Sequence, residues 1–250
     1  MTLFVRHTKG LTLTADGLRV LEIIRPLLAQ QDETYMALSQ LAQAEAPSLR
    51  IGLTTAFEQG VFASLEAVLA AQVEALHVVR HGSPELVRQV RRGKLDAALV
   101  ALPLETSALS LTRLNRQEPL IAALSAQWAE AEQERLTLST LNGRPLFWFK
   151  RERNPAFFDF TRDIFRRVGY VPACLEEPLE HDVLLARIAR GEGLSLFPAS
   201  FAAIQRQGVV FRAIDETALC VECGLVMLPE NAARLAWLLE MAQADSRVTN

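Results

Sequence analysis

The 250-residue sequence predicts an α/β fold in two lobes, set behind a long N-terminal helix. Three observations predict it. From residue 49 onward, strand-length apolar runs alternate with amphipathic helical ones. That alternation occurs twice, in successive halves of similar size, which implies two lobes with a cleft between them. Between residues 15 and 44 the apolar positions instead follow three-and-four spacing, the pattern of one long helix.

Composition narrows the class. Half of the residues are hydrophobic and 22% are charged, the balance of a folded chain rather than a disordered one. A net charge of -3 offers no general surface for coating nucleic acid, so any DNA contact has to be local. No apolar run approaches the ~20 residues that span a bilayer. No long apolar stretch with a small-residue cleavage site follows Met1-Thr2-Leu3-Phe4, and the expected location is cytoplasmic. Of the three cysteines, Cys220 and Cys223 form a bare C-x-x-C. They stand on a strand that turns them to opposite faces, with no second Cys or His pair near. Small buried thiols are therefore expected, with neither a metal nor a cofactor.

The first thirteen residues carry Arg6, His7 and Lys9 and no acid, and read as a two-stranded wing turned at Lys9-Gly10. Thr14 offers an N-cap hydroxyl, with Asp16 in the first turn. The helix that follows places Leu21, Ile24, Leu28, Tyr35, Leu38 and Ala42 on one stripe, broken at Gln31. Pro26 inside it predicts a kink. The stripe fits a partner helix, or equally an amphipathic helix packed on its own domain. Ala46-Pro47-Ser48 ends it as a hinge.

Strands are expected at 49–53, 76–80 and 95–101, with helices from 61 to 71 and from 83 to Gly93. Short connections demand parallel pairing and right-handed crossovers. In the second half, 120–124 is a strand, followed by a helical segment, 136–141 and a strand at 145–149. A helix from Asn154-Pro155 to about Val168, a strand at 171–175, a helix at 182–190 and a strand at 194–197 come next. Strands at 209–212 and 219–227 and a last helix at 230–242 complete the chain.

Several segments then resemble one family in its own order and spacing. Leu3-Phe4-x-Arg6-x-x-Lys9-Gly10-x-x-Leu13-Thr14-x-x-Gly17 resembles the wing and linker-helix start of LysR-type transcriptional regulators. Leu49-Arg50-Ile51-Gly52 is similar to the first strand of their effector domain. Arg92-Gly93-Lys94-Leu95-Asp96-Ala97-Ala98-Leu99 is similar to their "G-x-L-D" strand. Arg153-Asn154-Pro155 with Asp159 resembles a segment of the aromatic-degradation branch. Gly191 to Ser200 resembles the "GxGxxxxPAS" stretch of the second lobe.

The resemblance implies a periplasmic-binding-protein-like effector domain of two Rossmann-like subdomains. It divides the chain into a remnant wing (1–14), a linker and dimerisation helix (15–46), a first lobe (47–117 and 214–250) and a second (118–213). It also implies a homodimer or tetramer joined through Leu21, Ile24, Leu28, Tyr35 and Leu38. Family members carry a recognition helix before the wing. Met1 stands immediately before the wing here, so the expectation is a regulator whose helix-turn-helix is largely missing. Its Arg6, His7 and Lys9 then touch DNA phosphates without reading sequence.

In two-lobed α/β sensors, ligands bind where strand ends and helix N-termini face the cleft, and those N-termini suit carboxylates. The candidates after the first strand are Thr54, Thr55 and Ala56. Ser83 reads both as a helix N-cap and, by resemblance, as an effector-binding hydroxyl. In the second lobe Phe149 and Lys150 follow a buried strand, and Lys150 meets an anion or lies solvated in a basic loop. Phe197 and Pro198 form an apolar wall, with core packing the rival for Phe197. His181 reads as an exposed polar cap and Glu176-Glu177 as a solvated pair.

No G-x-S-x-G, H-E-x-x-H or phosphate loop is present, so no catalytic residue is expected. The reading is a regulator that binds a small organic, anionic effector, with a carboxylate or aromatic acid in view. The rivals are a periplasmic-type solute-binding protein and a truncated chain that pairs with intact relatives.

Overall fold

In the computed structural model, residues 1–7, 10–42 and 48–248 are described, the side chains of 7, 32–33, 35–42 and 246–248 excepted. The wing is present as β1 (Phe4–His7) and β2 (Gly10–Leu13), paired antiparallel from Phe4 opposite Leu13 to His7 opposite Gly10. Thr14 caps α1 (Ala15–Ala42) as expected, its Oγ1 accepting from the Gly17 N–H at 2.9 Å. Gly17 is buried because the N-terminal segment crosses there. A Cβ at this position would stand 2.2 Å from the Leu3 carbonyl oxygen. The helix runs on through Pro26 without a break.

Most of the described apolar side chains of α1 face away from the body of the molecule. Leu18, Leu21, Ile23, Ile24, Leu27 and Leu28 are all exposed. Of the two readings left open by the periodicity, a helix packed against its own domain does not hold for these residues. Tyr35 and Leu38, the other half of the expected stripe, lie with the hinge at 46–47 outside the described side chains and residues.

The body opens with β3 (Ser48–Thr54), α2 (Ala63–Gln72), β4 (Ala75–His81), α3 (Ser83–Arg91) and β5 (Ala97–Leu102). β3 lies between β4 and β5 and is parallel to both, as short strand-helix-strand connections require. Every residue of β5 is buried, because helices cover both faces of the sheet. Ala97, Leu99 and Ala101 join the core beneath α2, while Ala98, Val100 and Leu102 face α3. Gly52 admits α3 to that second face: a Cβ there would meet Leu86 at 2.6 Å and Leu95 at 2.9 Å.

Asp96, of the "L-D" resemblance, is a structural tie. It is almost fully buried and accepts from the Arg50 backbone N–H at 2.8 Å and from the guanidinia of Arg50 and Arg234. Burial opposes its ionisation, but the hydrogen bonds from Arg50 outweigh that and hold the carboxyl below its usual range.

The main departure from expectation is β6 (Ser110–Ser125), sixteen residues long where only 120–124 were expected as strand. Its first part alternates exposed and buried residues, which hid the strand among polar side chains. The remaining elements are β7 (Arg135–Leu136), β8 (Leu146–Trp148), α4 (Pro155–Arg167), β9 (Cys174–Glu176), α5 (His181–Ala189), β10 (Ser195–Pro198), β11 (Val209–Ile214), β12 (Cys220–Met227) and α6 (Ala236–Val248). A short 3-10 turn replaces the helical segment expected near 130, and the 136–141 segment is the end of β7 followed by another 3-10 turn. The last helix begins at Ala236, six residues later than expected, after a 3-10 turn at Pro229–Asn231.

β6 serves both lobes. Residues 110–119 pair antiparallel with β12, and β12 pairs with β5, completing the first sheet. From Leu120 onward the partners of β6 are β10 and β11, and β11 carries β7. The two expected halves are thus not separate sheets but one curled eight-stranded ladder that changes partners at 119/120. β8 and β9 form a parallel pair that meets the start of β10 through Leu146 and Leu194. α5 covers one face of the second lobe with Leu184, Leu185 and Ile188, and α4 packs Ile164 and Phe165 into the larger core.

A candidate ligand-binding cleft

Where β6 changes partners, the strand ends of both lobes and the starts of three helices surround one cavity of about 580 Å³. That volume lies in the range of small-molecule sites. α3, α4 and α5 present their first residues to it: Gly82 and Ser83, Asn154 and Phe157, and His181. A helix start carries N–H groups without intrahelical acceptors and a partial positive charge.

On the first-lobe side, Ser83 is the central group. The expected N-cap role is not what the structure gives. Gly82 occupies the cap position and no side chain caps α3. The Ser83 hydroxyl instead turns inward, where it is 96% buried. It accepts from the Ala101 N–H at 2.9 Å and lies 2.7 Å from Thr54 Oγ1. Thr54 Oγ1 itself accepts from the Ala56 N–H at 3.2 Å. Where Thr54 is the donor of this pair, both lone pairs of Ser83 are engaged and its own proton is left for a group in the cavity. Thr54 is therefore a buried support behind Ser83 and does not line the cavity, whereas Thr55 and Ala56 do.

Farther along α3, Glu85 and Arg88 also line the cavity and pair with each other. A hydrogen bond from Gln89 at 3.0 Å, helped by the Arg88 guanidinium, holds the Glu85 carboxyl below its usual range.

The second-lobe side is aromatic. Trp148 and Phe149, at the end of β8, meet Phe157 from the first turn of α4, with Phe149 and Phe157 stacked at 5.9 Å and 12°. Asn154 fixes that turn by accepting from the Phe157 N–H. Opposite, Phe197 and Phe201 lie 4.7 Å apart, and the His181 ring stands edge-on to both. Phe197 thus serves both readings at once, packing into the core with Phe211 and facing the cavity beside Pro198.

Of the two readings of Lys150, the solvated one fits the structure. It is absent from the lining, and its Nζ lies 3.0 Å from Glu176 Oε1 with both side chains exposed. His181 and Glu177 depart from expectation. His181 is no exposed cap: burial between the phenylalanines pushes its pKa down, so the ring is neutral at pH 7. Glu177 is no solvated partner of Glu176. Its backbone N–H reaches the Trp148 carbonyl at 3.4 Å, and its side chain turns into the cavity. Burial pushes that carboxyl up to about 7, and the Arg153 guanidinium, 3.9 Å away, only partly offsets it.

Trp148, Phe157, Glu177, His181 and Phe201 are among the lining residues that lie outside the sequence candidates. Aromatic residues on either side of the helix-capping Asn154 were the one usable signal, since a strand end and a first helical turn meet in space. Glu177 carried none, because nothing in Glu176-Glu177 tells which acid turns inward.

At the rim, Ser200 joins the lobes. Its Oγ accepts from the Glu58 N–H at 3.1 Å, and its own N–H donates to Glu118 Oε2 at 2.8 Å. Among the described residues there is no cluster of metal-binding side chains, and no helix is long and apolar enough to cross a membrane.

Comparison with known proteins gives a consistent picture. Residues 42–247 match the family model described as the LysR substrate binding domain. The chain is 26% identical over 235 residues to the HTH-type transcriptional regulator YnfL of Escherichia coli K12, covering 90% of this chain and 76% of YnfL. Its fold resembles that of CbnR, a LysR family transcriptional regulator, with a TM-score of 0.65 at 21% identity over 94% of this chain and 82% of CbnR. The effector binding domain of a BenM variant superposes with a TM-score of 0.67 at 19% identity, over 81% of this chain and 96% of that domain.

Proposed function

Since the chain belongs to the LysR family of transcriptional regulators, through its substrate-binding domain, we propose that its interlobe cleft binds a small organic acid that sets its regulatory state. The observation that carries this reading is the aromatic-walled cavity at the junction of the lobes, with the buried Ser83 hydroxyl and the start of α3 at one end. Ser83 O–H, at the positive end of α3, takes the carboxylate, and Thr55 and Ala56 shape that end. Phe149, Phe197 and Pro198 hold the apolar part, joined by Trp148 and Phe157. No catalytic role is assigned to any of them. The relatives are regulators of transcription, and the lining holds no nucleophile beside a base.

The remaining parts take family roles as part of the same proposal. Residues 47–117 and 214–250 form the first lobe and 118–213 the second. The exposed apolar side chains of α1, Leu21, Ile24 and Leu28 among them, pair with another copy in a dimer or tetramer. The wing lies along DNA phosphates through Arg6, with His7 and Lys9, whose side chain and position lie outside the described ones. The cytoplasm is the compartment in which such a regulator meets DNA. A ligand shifts the balance between lobe arrangements only by binding one of them better.

The test is a thermal-shift screen of aromatic and aliphatic carboxylates on wild type and Ser83→Ala. At a hundredfold excess over Kd, a ligand that binds only the folded state adds about 2.7 kcal/mol. For a chain of this size that raises Tm by about 5–10 °C. The expected result is such a shift in wild type, cut by more than half in Ser83→Ala at the same concentration. Shifts that persist unchanged in both Ser83→Ala and Phe157→Ala would place the ligand elsewhere.

A further inference from the structure

We propose that the effector is amphoteric, a small acid carrying a protonated amine, with its carboxylate at Ser83 and its ammonium held between the Glu177 carboxylate and the aromatic face of Trp148 and Phe157. This rests on the cleft reading above and deepens it from a site to a ligand class.

The two ends of the cavity differ in the side chains they present, although helix starts reach both. The first-lobe end presents the Ser83 hydroxyl at the start of α3, and its one cation, Arg88, is already bound to Glu85. The second-lobe end adds acidic side chains and π faces to the starts of α4 and α5. Glu177 and Glu152 line it against a single guanidinium, that of Arg153.

Glu177 is held loosely. It makes no side-chain hydrogen bond among the described residues, and its one ion contact, to Arg153, is long at 3.9 Å. The neighbouring acid, Glu176, is turned outward and satisfied by Lys150, so Glu177 alone faces the cavity. A neutral His181 supplies a further ring nitrogen on the same side. A half-buried carboxyl without a close partner, standing beside stacked rings and drawn to its charged form by an incoming cation, matches the two features that recognise an organic ammonium ion: a counter-charge and a quadrupole.

A plain aromatic acid satisfies only the donor end. Seating it supplies nothing for Glu177 to pair with. An amphoteric ligand satisfies both ends, and the cavity volume accommodates an amino acid with a phenyl-sized side chain.

The experiment is isothermal titration of the full chain with three probes of one shape: phenylalanine, 3-phenylpropionate and 2-phenylethylamine. The expected result is that phenylalanine binds at least tenfold tighter than either single-charge probe. In Glu177→Gln, which keeps the shape and removes the charge, that advantage over 3-phenylpropionate should fall below threefold.

The proposal is overturned if 3-phenylpropionate matches phenylalanine in wild type, if Glu177→Gln keeps the preference, or if none of the three binds. Failure of the amphoteric class and failure of the cleft are distinguishable. In the first case any acid found by screening still loses affinity in Ser83→Ala. In the second no bound probe responds to either substitution.

Discussion

Ser83 shows how much one hydroxyl can decide. A serine before a proline at a helix start reads as an N-cap, and local physics makes that a sound expectation. Tertiary structure overrides it, because the ends of β3 and β5 supply Thr54 and the Ala101 N–H as better partners within a buried network. Glu177 is the complementary case, a residue whose environment is set entirely by neighbours distant in sequence. Its carboxyl is raised to about 7 against an ordinary value near 4.5, so the folded state favours the neutral form.

The stability that this acid lends is therefore present below about pH 4.5 and is lost as pH rises through 7. The charges around it are Arg153 and Glu152 on the same side, the outward Lys150–Glu176 pair, neutral His181, and Glu85 with Arg88 across the cavity. Glu177→Gln removes the titration. Without ligand, the variant is expected to melt about 2–4 °C above wild type at pH 8, the shift for ~1 kcal/mol, and to match it at pH 5. Melting curves at the two pH values check this, and an equal difference at both would contradict the assigned environment.

Among the elements, α1 and β5 were the most legible from sequence and β6 the least. β5 is a continuous apolar run because it is covered on both faces, and such runs need no alternation to be read. In its first half, by contrast, β6 carries Arg113, Asn115, Arg116, Gln117 and Glu118, polar residues that sequence periodicity assigns to a loop. Pairing to β12 alone makes that stretch a strand.

α1 was recognised from spacing, but spacing could not tell a helix packed at home from one that seeks a partner. The exposure of Ile23 and Leu27 at about two-thirds, with Leu18 and Leu28 above one-half, favours the second reading. Contiguous apolar surface of this kind is what the proposed pairing with another copy requires. Changing Leu21 and Leu28 together to glutamate is expected to lower the assembly state by at least one step, from tetramer to dimer or dimer to monomer. Light scattering after gel filtration reads that directly. Unchanged mass with unchanged Tm would remove α1 from the interface.

At the scale of the whole molecule, the sequence revealed two α/β halves and the neighbourhood of the cleft, since strand ends and helix starts converge in any such arrangement. It did not reveal how the halves are joined. The answer lies in long-range pairing, with Leu120 donating to the Leu219 carbonyl at 2.8 Å just where β6 changes partners.

Ser200 adds a second tie across the cleft, between Glu58 and Glu118. If ligand binding draws the lobes together over this tie, Ser200→Ala, which leaves the Glu58 N–H to water, loosens the closed form. A net hydrogen bond is worth about 1 kcal/mol, so ligand affinity is expected to fall about fivefold, with faster amide exchange at residues 57–60 in the free protein. Titration and hydrogen exchange check both, and affinity within twofold of wild type would show that the tie plays no part in closure.

The change of partners within β6 also limits how this molecule can be taken apart. Its two sensing compartments cannot be traded between relatives like beads on a string, because one continuous ribbon is woven into each. A graft cut anywhere inside 110–125 would strand half of that ribbon without neighbours. Viable hybrids should carry β6 whole together with both of its neighbours, β11 and β12, so that specificity is inherited as a single block.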